Sequence, residues 1–61
     1  MQAGGQMENK RVYINKYSYE IMYSFFIDQK TVKLCYQGYT SIISLQLYRD
    51  IIENYVFVGS L

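Results

Sequence analysis

The chain has 61 residues, 51% of them apolar and 18% aromatic, with six basic and five acidic side chains and a formal net charge of +1. That length allows one domain, and the near-neutral charge excludes a broad electrostatic footprint for nucleic acid or a membrane surface. The single cysteine, Cys35, excludes an internal disulfide, and the lack of histidine removes the usual general base and any structural zinc ligand set.

Residues 1–10, MQAGGQMENK, are polar and aperiodic and are expected to be a disordered N-terminal segment, leaving 11–61 as a single domain. They contain no apolar core of a signal peptide. A lone thiol without such a signal suits a reducing cytoplasm. The longest apolar stretch, within 21–27, is interrupted by Ser24 and falls far short of a membrane span.

Residues 11–27 alternate with period two. Tyr13, Tyr17, Tyr19, Ile21, Tyr23, Phe25 and Ile27 occupy the odd positions, which predicts a half-buried strand with those side chains on one face. Seventeen residues exceed the usual strand, so a bulge or tight turn is expected near Asn15-Lys16. Asp28-Gln29-Lys30 reads as a hairpin loop. Residues 31–37 alternate again, with Val32, Leu34 and Tyr36 facing one way and Lys33, Cys35 and Gln37 the other, and Gly38 ends the strand.

Thr40 or Ser41 is the expected N-cap of a helix over residues 42–54. Ile43, Leu47, Ile51 and Tyr55 recur at i, i+4, i+8 and i+12, while Gln46, Arg49, Asp50 and Glu53 take the wet side. The apolar arc is wider than one small sheet covers. Its edge, Leu45, Tyr48 and Ile52, is where a second subunit is expected. A final strand over 55–58 is closed by Gly59. The fold class is therefore α+β, a small antiparallel sheet in the order strand–strand–helix–strand with one helix packed on one face.

So short a chain buries only about 60% of its unfolded surface and ordinarily needs a disulfide, a metal or a partner subunit. With the first two excluded by composition, a homodimer is expected. No catalytic residue, metal site or cofactor is expected either. Cys35 has Lys33 on its own face, but a structural thiol is the simpler reading. Asp50 and Glu53 share a helix face without a cleft to shift their ionisation.

Tyrosine is the conspicuous residue, eight of 61. It supplies large, rigid, amphipathic contact area at interfaces. Tyr36, Tyr39 and Tyr48, at the strand–helix junction, are the expected partner-binding residues. The competing class is a small single-stranded nucleic-acid-binding module, with tyrosines stacking bases beside Lys10, Arg11, Lys16, Lys30 and Lys33. Glu8, Glu20 and Asp28 dilute that charge, and phosphate neutralisation dominates such affinity, so a protein partner is favoured.

The run KTVKLCYQGYTSIISLQLYRD, residues 30–50, flanked by strands, resembles the layout of the small phage inhibitors of uracil-DNA glycosylase. Gly38 before the helix and Tyr48 late in it are the matching positions. That family is acidic, whereas this chain is near neutral, and its helical aromatic–acid pair would fall on Ser44 and Leu45. In size and character the chain is also similar to short phage anti-defence proteins, including the dimeric Hachiman anti-defence type. The resemblance implies a phage-encoded, homodimeric inhibitor, non-enzymatic, that blocks a host defence or DNA-repair protein.

Overall fold

The alternating run that opens the domain folds back on itself after Asn15. The structure, a computed structural model, describes residues 10–61; the expectation of disorder for 1–10 falls, but for Lys10, outside the described residues. Lys10 itself exchanges backbone hydrogen bonds with Leu61 (Lys10 N to Leu61 O 3.4 Å, Leu61 N to Lys10 O 2.8 Å), which corrects its place in that segment.

The elements are β1 (Arg11–Asn15), β2 (Ile21–Phe26), β3 (Thr31–Tyr36), β4 (Tyr39–Ser44), α1 (Leu45–Ile52) and β5 (Tyr55–Ser60). One antiparallel sheet has the order β4-β3-β2-β1-β5. Four antiparallel steps separate the edges, so β4 and β5 run in the same direction, and the chain must cross the sheet to begin β5. The helix makes that crossing. The α+β class holds, but five strands replace three, and two sequence-based boundaries move.

The first is the parity of the opening run. Tyr13 pairs with Met22, so the odd face of β1 continues as the even face of β2. Met22 and Ser24 are buried, while Ile21, Tyr23 and Phe25 lie on the opposite face. The turn at 16–20 causes the switch, because a one-residue change of register moves every side chain across the sheet.

The second is the helix start. Tyr39–Ser44 is a strand paired with β3, from Tyr36↔Tyr39 to Thr31↔Ser44. Gln37 (φ 50°) and Gly38 (φ 81°) both take positive φ, the signature of a two-residue hairpin turn that matches strand twist. β-branched Thr40, Ile42 and Ile43 then extend rather than coil. The N-cap is Ser44, not Thr40 or Ser41: its backbone is extended and its Oγ accepts from the Leu47 N–H at 3.2 Å. Leu45 N–H donates to the Lys30 carbonyl at 2.8 Å, tying the helix start to the β2–β3 loop.

The core consists of Tyr13, Met22, Val32, Leu34 and Tyr48, with Ile43, Leu45, Ile51, Ile52 and Tyr55 packed around it. An eight-residue helix is about 12 Å long, against about 19 Å across five strands. It therefore covers the middle of one face only. Of the helical edge assigned to a second subunit, Leu45 and Ile52 are half-buried on the chain's own core, and Tyr48 is 2% exposed. Tyr48 thus belongs to neither an open dimer edge nor a free partner-binding surface. Its ring is needed to fill the space between α1 and the sheet.

Candidate functional site

Two turns meet at one end of the sheet. In the β1–β2 turn, the Asn15 Oδ1 accepts from the N–H groups of Tyr17 (2.8 Å) and Ser18 (3.0 Å). The Asn15 carbonyl accepts from Tyr19 N–H at 3.0 Å, and Asn15 N–H donates to the Glu20 carbonyl at 2.9 Å. This is the Asx-type geometry that lets a short polar side chain replace a turn of backbone. Tyr19 is held at φ 65°.

The neighbouring β3–β4 turn carries Tyr36 and Tyr39 as its flanking pair. Gln37 Nε2 donates to the Glu20 carboxylate, which also accepts from Ser18 Oγ at 3.2 Å. That bridge locks the two turns together. Tyr17 and Tyr19 are each 77% exposed and Tyr39 69%, with Tyr36 less open. Two of the three tyrosines that the sequence assigns to partner binding, Tyr36 and Tyr39, are thus brought together with Tyr17 and Tyr19, which alternation assigns to one face of a strand, while Tyr48 is buried. Asn15, a turn-forming residue before Lys16-Tyr17-Ser18, was the signal that could have found them. A shallow groove of about 240 Å³ adjoins this end, lined in part by Ile21, Tyr23, Cys35 and Thr40.

A second surface is the sheet face away from α1. Register puts Val12, Tyr23, Cys35 and Thr40 in one row across it, and Ile14, Ile21 and Val56 in the next. Toward the opposite end lies the row Phe25, Lys33 and Ile42. Lys10 and Lys33 fold their ammonium groups over rings on this face, Lys10 Nζ 4.7 Å from the Tyr23 centroid and Lys33 Nζ 5.2 Å from that of Phe25. Arg11 points to the helix face, its guanidinium 5.0 Å from the Phe26 ring.

Cys35 is half-buried on the open face, its Sγ 3.8 Å from Thr40 Oγ1, while the neighbouring Lys33 ammonium is directed at Phe25. Asp50 and Glu53 are exposed on the helix. Among the described residues no three cysteine or carboxylate groups gather, and no helix is long and apolar enough to cross a membrane. Set against protein-family models, the curated proteins and the solved structures, the chain matches none.

Proposed function

We propose that this chain is a non-enzymatic protein-binding protein that works as a homodimer and blocks a larger protein by seating its tyrosine-bearing end on it. The observation that carries this reading is the cluster of Tyr17, Tyr19, Tyr36 and Tyr39 on two turns joined through Glu20 and Gln37. Binding loops elsewhere use tyrosine in the same way, because its ring adds amphipathic area for little lost side-chain entropy. Mounting the rings on turns that are tied to one another lowers the ordering cost of association further.

The resemblance to phage inhibitors makes a bacterial defence or DNA-repair protein, in the host cytoplasm, the first partner class to test. A single-stranded nucleic acid is the competing ligand. It is disfavoured because the ring faces of Tyr23 and Phe25, where bases would stack, already carry Lys10 and Lys33.

The test is capture of partners from bacterial lysate by the tagged chain, with and without nuclease, beside a Tyr17→Ser/Tyr39→Ser variant. A stoichiometric protein that survives nuclease and is lost with the variant supports the reading. Capture that disappears on nuclease treatment, or that the variant leaves intact, overturns it.

A further inference from the structure

We propose that the free edge of β4 receives an extended segment of the partner protein, added antiparallel to the sheet with one apolar side chain in the groove above Cys35. The proposal rests on the protein-binding reading above and names the part of the partner that reaches beyond the tyrosines.

Pairing fixes which way the β4 backbone points. β4 is an edge strand, with β3 on one side only. Across the two-residue turn Tyr36 and Tyr39 form a hydrogen-bonded pair, and bonded and non-bonded pairs alternate from there. Tyr39, Ser41 and Ile43 therefore bond to β3. The Leu45 N–H, next in that series, reaches the Lys30 carbonyl at 2.8 Å, as the alternation requires. Thr40 and Ile42 direct both N–H and C=O away from the sheet. The complement of such a row of main-chain donors and acceptors is another extended backbone.

The two edges are not equivalent. β5, at the other edge, has a register shift opposite Val12/Tyr13, a bulge of the kind that turns an edge away from added strands. β4 pairs regularly from Tyr39 to Ser44 and carries no charge or proline. The groove also lies on this side. Tyr23, Cys35 and Thr40 form one row running to the β4 edge, and its last two side chains are small. The gap of about 240 Å³ above them reaches Tyr39 and Thr40 of β4. A residue paired with Thr40 presents its side chain on the same face, over that gap. Ile21 and the Tyr23 ring line it beside Cys35, so it suits an apolar side chain. Strand addition in general takes affinity from the main chain and specificity from such pockets.

Continuity with the tyrosine-bearing end selects the partner protein over a second copy. Two β4 edges paired with each other share a single ladder, a strip of roughly 200 Å² in plan. Stable interfaces begin at roughly 600 Å² per partner. Tyr39 is the first residue of β4 and, at 69% exposed, a member of the tyrosine cluster. A protein seated on that cluster lies beside the edge, and contact with both supplies the area that the edge alone lacks.

The test pans a display library of random decapeptides against the immobilised full chain, then follows amide hydrogen exchange of the chain with a recovered peptide. Recovered peptides should be uncharged and share one Leu, Met or Phe. In the free chain the Thr40 and Ile42 amides should exchange faster than those of Ser41 and Ile43, and the peptide should slow them at least ~10-fold. Ile42→Pro removes an outward N–H at no cost in sheet bonds, and Cys35→Leu fills the gap. Each should weaken the peptide at least ~10-fold, the loss of a main-chain bond or of the seated side chain. Val58→Lys, on β5, should change nothing, and circular dichroism checks that every variant is folded.

A library that yields no peptide overturns the proposal, as do peptides that bind Ile42→Pro and Cys35→Leu undiminished or leave the Thr40 and Ile42 amides fast. Protection of those two amides that grows with the chain's own concentration, without peptide, overturns it in favour of a second copy. A protein target captured as well by Ile42→Pro as by the wild type overturns the edge contact and leaves the tyrosine reading standing. Tyr17→Ser should still bind the peptide while its hold on the protein target weakens, so the two readings fail separately.

Discussion

The phenol oxygen of Tyr48 on α1 lies 2.7 Å from that of Tyr13 on β1, inside the core, and 2.9 Å from the Ser24 hydroxyl on β2. Three buried hydroxyls thus satisfy one another where a helix crosses a sheet, and the two rings meet edge to face at 6.2 Å. Tyr48→Phe keeps the ring but leaves the hydroxyls of Tyr13 and Ser24 without it. Stranding buried polar groups costs about 1–3 kcal/mol, the loss expected in denaturant unfolding. Ser24→Ala should cost less in the Tyr48→Phe background than alone, because its partner has already gone. Strictly additive costs would show that the three do not act as a unit.

Alkaline pH probes the same group. Burial pushes the Tyr48 phenol up to about 12 from its ordinary 10.0; the bond to Ser24 lowers it and the bond to Tyr13 raises it further. An acid whose pKa is raised on folding contributes stability that is fully present below pH 10 and is lost as pH rises through about 12. Chemical denaturation between pH 9 and 12 should show a decline that is shallower in Tyr48→Phe. An unchanged slope in the variant would assign the decline to other groups.

Local chemistry was readable in the sequence wherever it decided the outcome alone. The Asp28-Gln29-Lys30 loop, the inward Val32 and Leu34, and the exposed Gln46, Arg49, Asp50 and Glu53 all stand where pattern places them. Tyr36 and Tyr39 are on the surface as expected. What pattern could not decide was parity across the Asn15–Glu20 turn, since apolar residues occupy both faces of β2. The run Ile42-Ile43 was ambiguous for the same reason: it fits a helix stripe and a strand equally, and pairing with β3 decided for the strand. A helix wheel leaves Tyr48 at an open edge because it counts apolar arc but not what the sheet beneath needs to fill it, and the structure buries its ring in the core.

The β2–β3 loop carries an acid-sensitive contact. The Asp28 carboxylate accepts the Lys30 N–H at 2.8 Å, and this bond, with help from the Thr31 side chain, holds its carboxyl below the usual 3.8. A carboxyl lowered on folding contributes stability above pH 3.8 that is lost as pH falls through its folded value. The group is exposed, so the effect is small. Asp28→Ala should flatten the acid limb of the stability profile below pH 4, and an unaltered limb would mean that the bond does not persist in solution.

Gly38 tests the hairpin that displaced the helix start. Its φ is +81°, and a Cβ added there would meet nothing within 4 Å, so any cost is conformational rather than steric. Gly38→Ala should lose about 1–2 kcal/mol, the penalty of a side chain in the left-handed region. The denaturant midpoint should fall with no change in slope, because the surface exposed on unfolding is the same. A neutral substitution would imply that the β3–β4 turn does not hold this conformation.

Tyr19 sets stability against binding. A ring at φ 65° bears the same penalty that Gly38 avoids, yet the side chain is 77% exposed and fills no core. Strain kept at a side chain with no internal contact to repay it points to a use outside the fold. Tyr19→Gly should therefore gain up to about 1 kcal/mol, the relief being partly offset by the greater freedom of glycine in the unfolded chain. The same variant should bind the captured partner more weakly. A more stable protein with undiminished binding would remove Tyr19 from the contact surface, while a less stable one would show that the ring supports the turn.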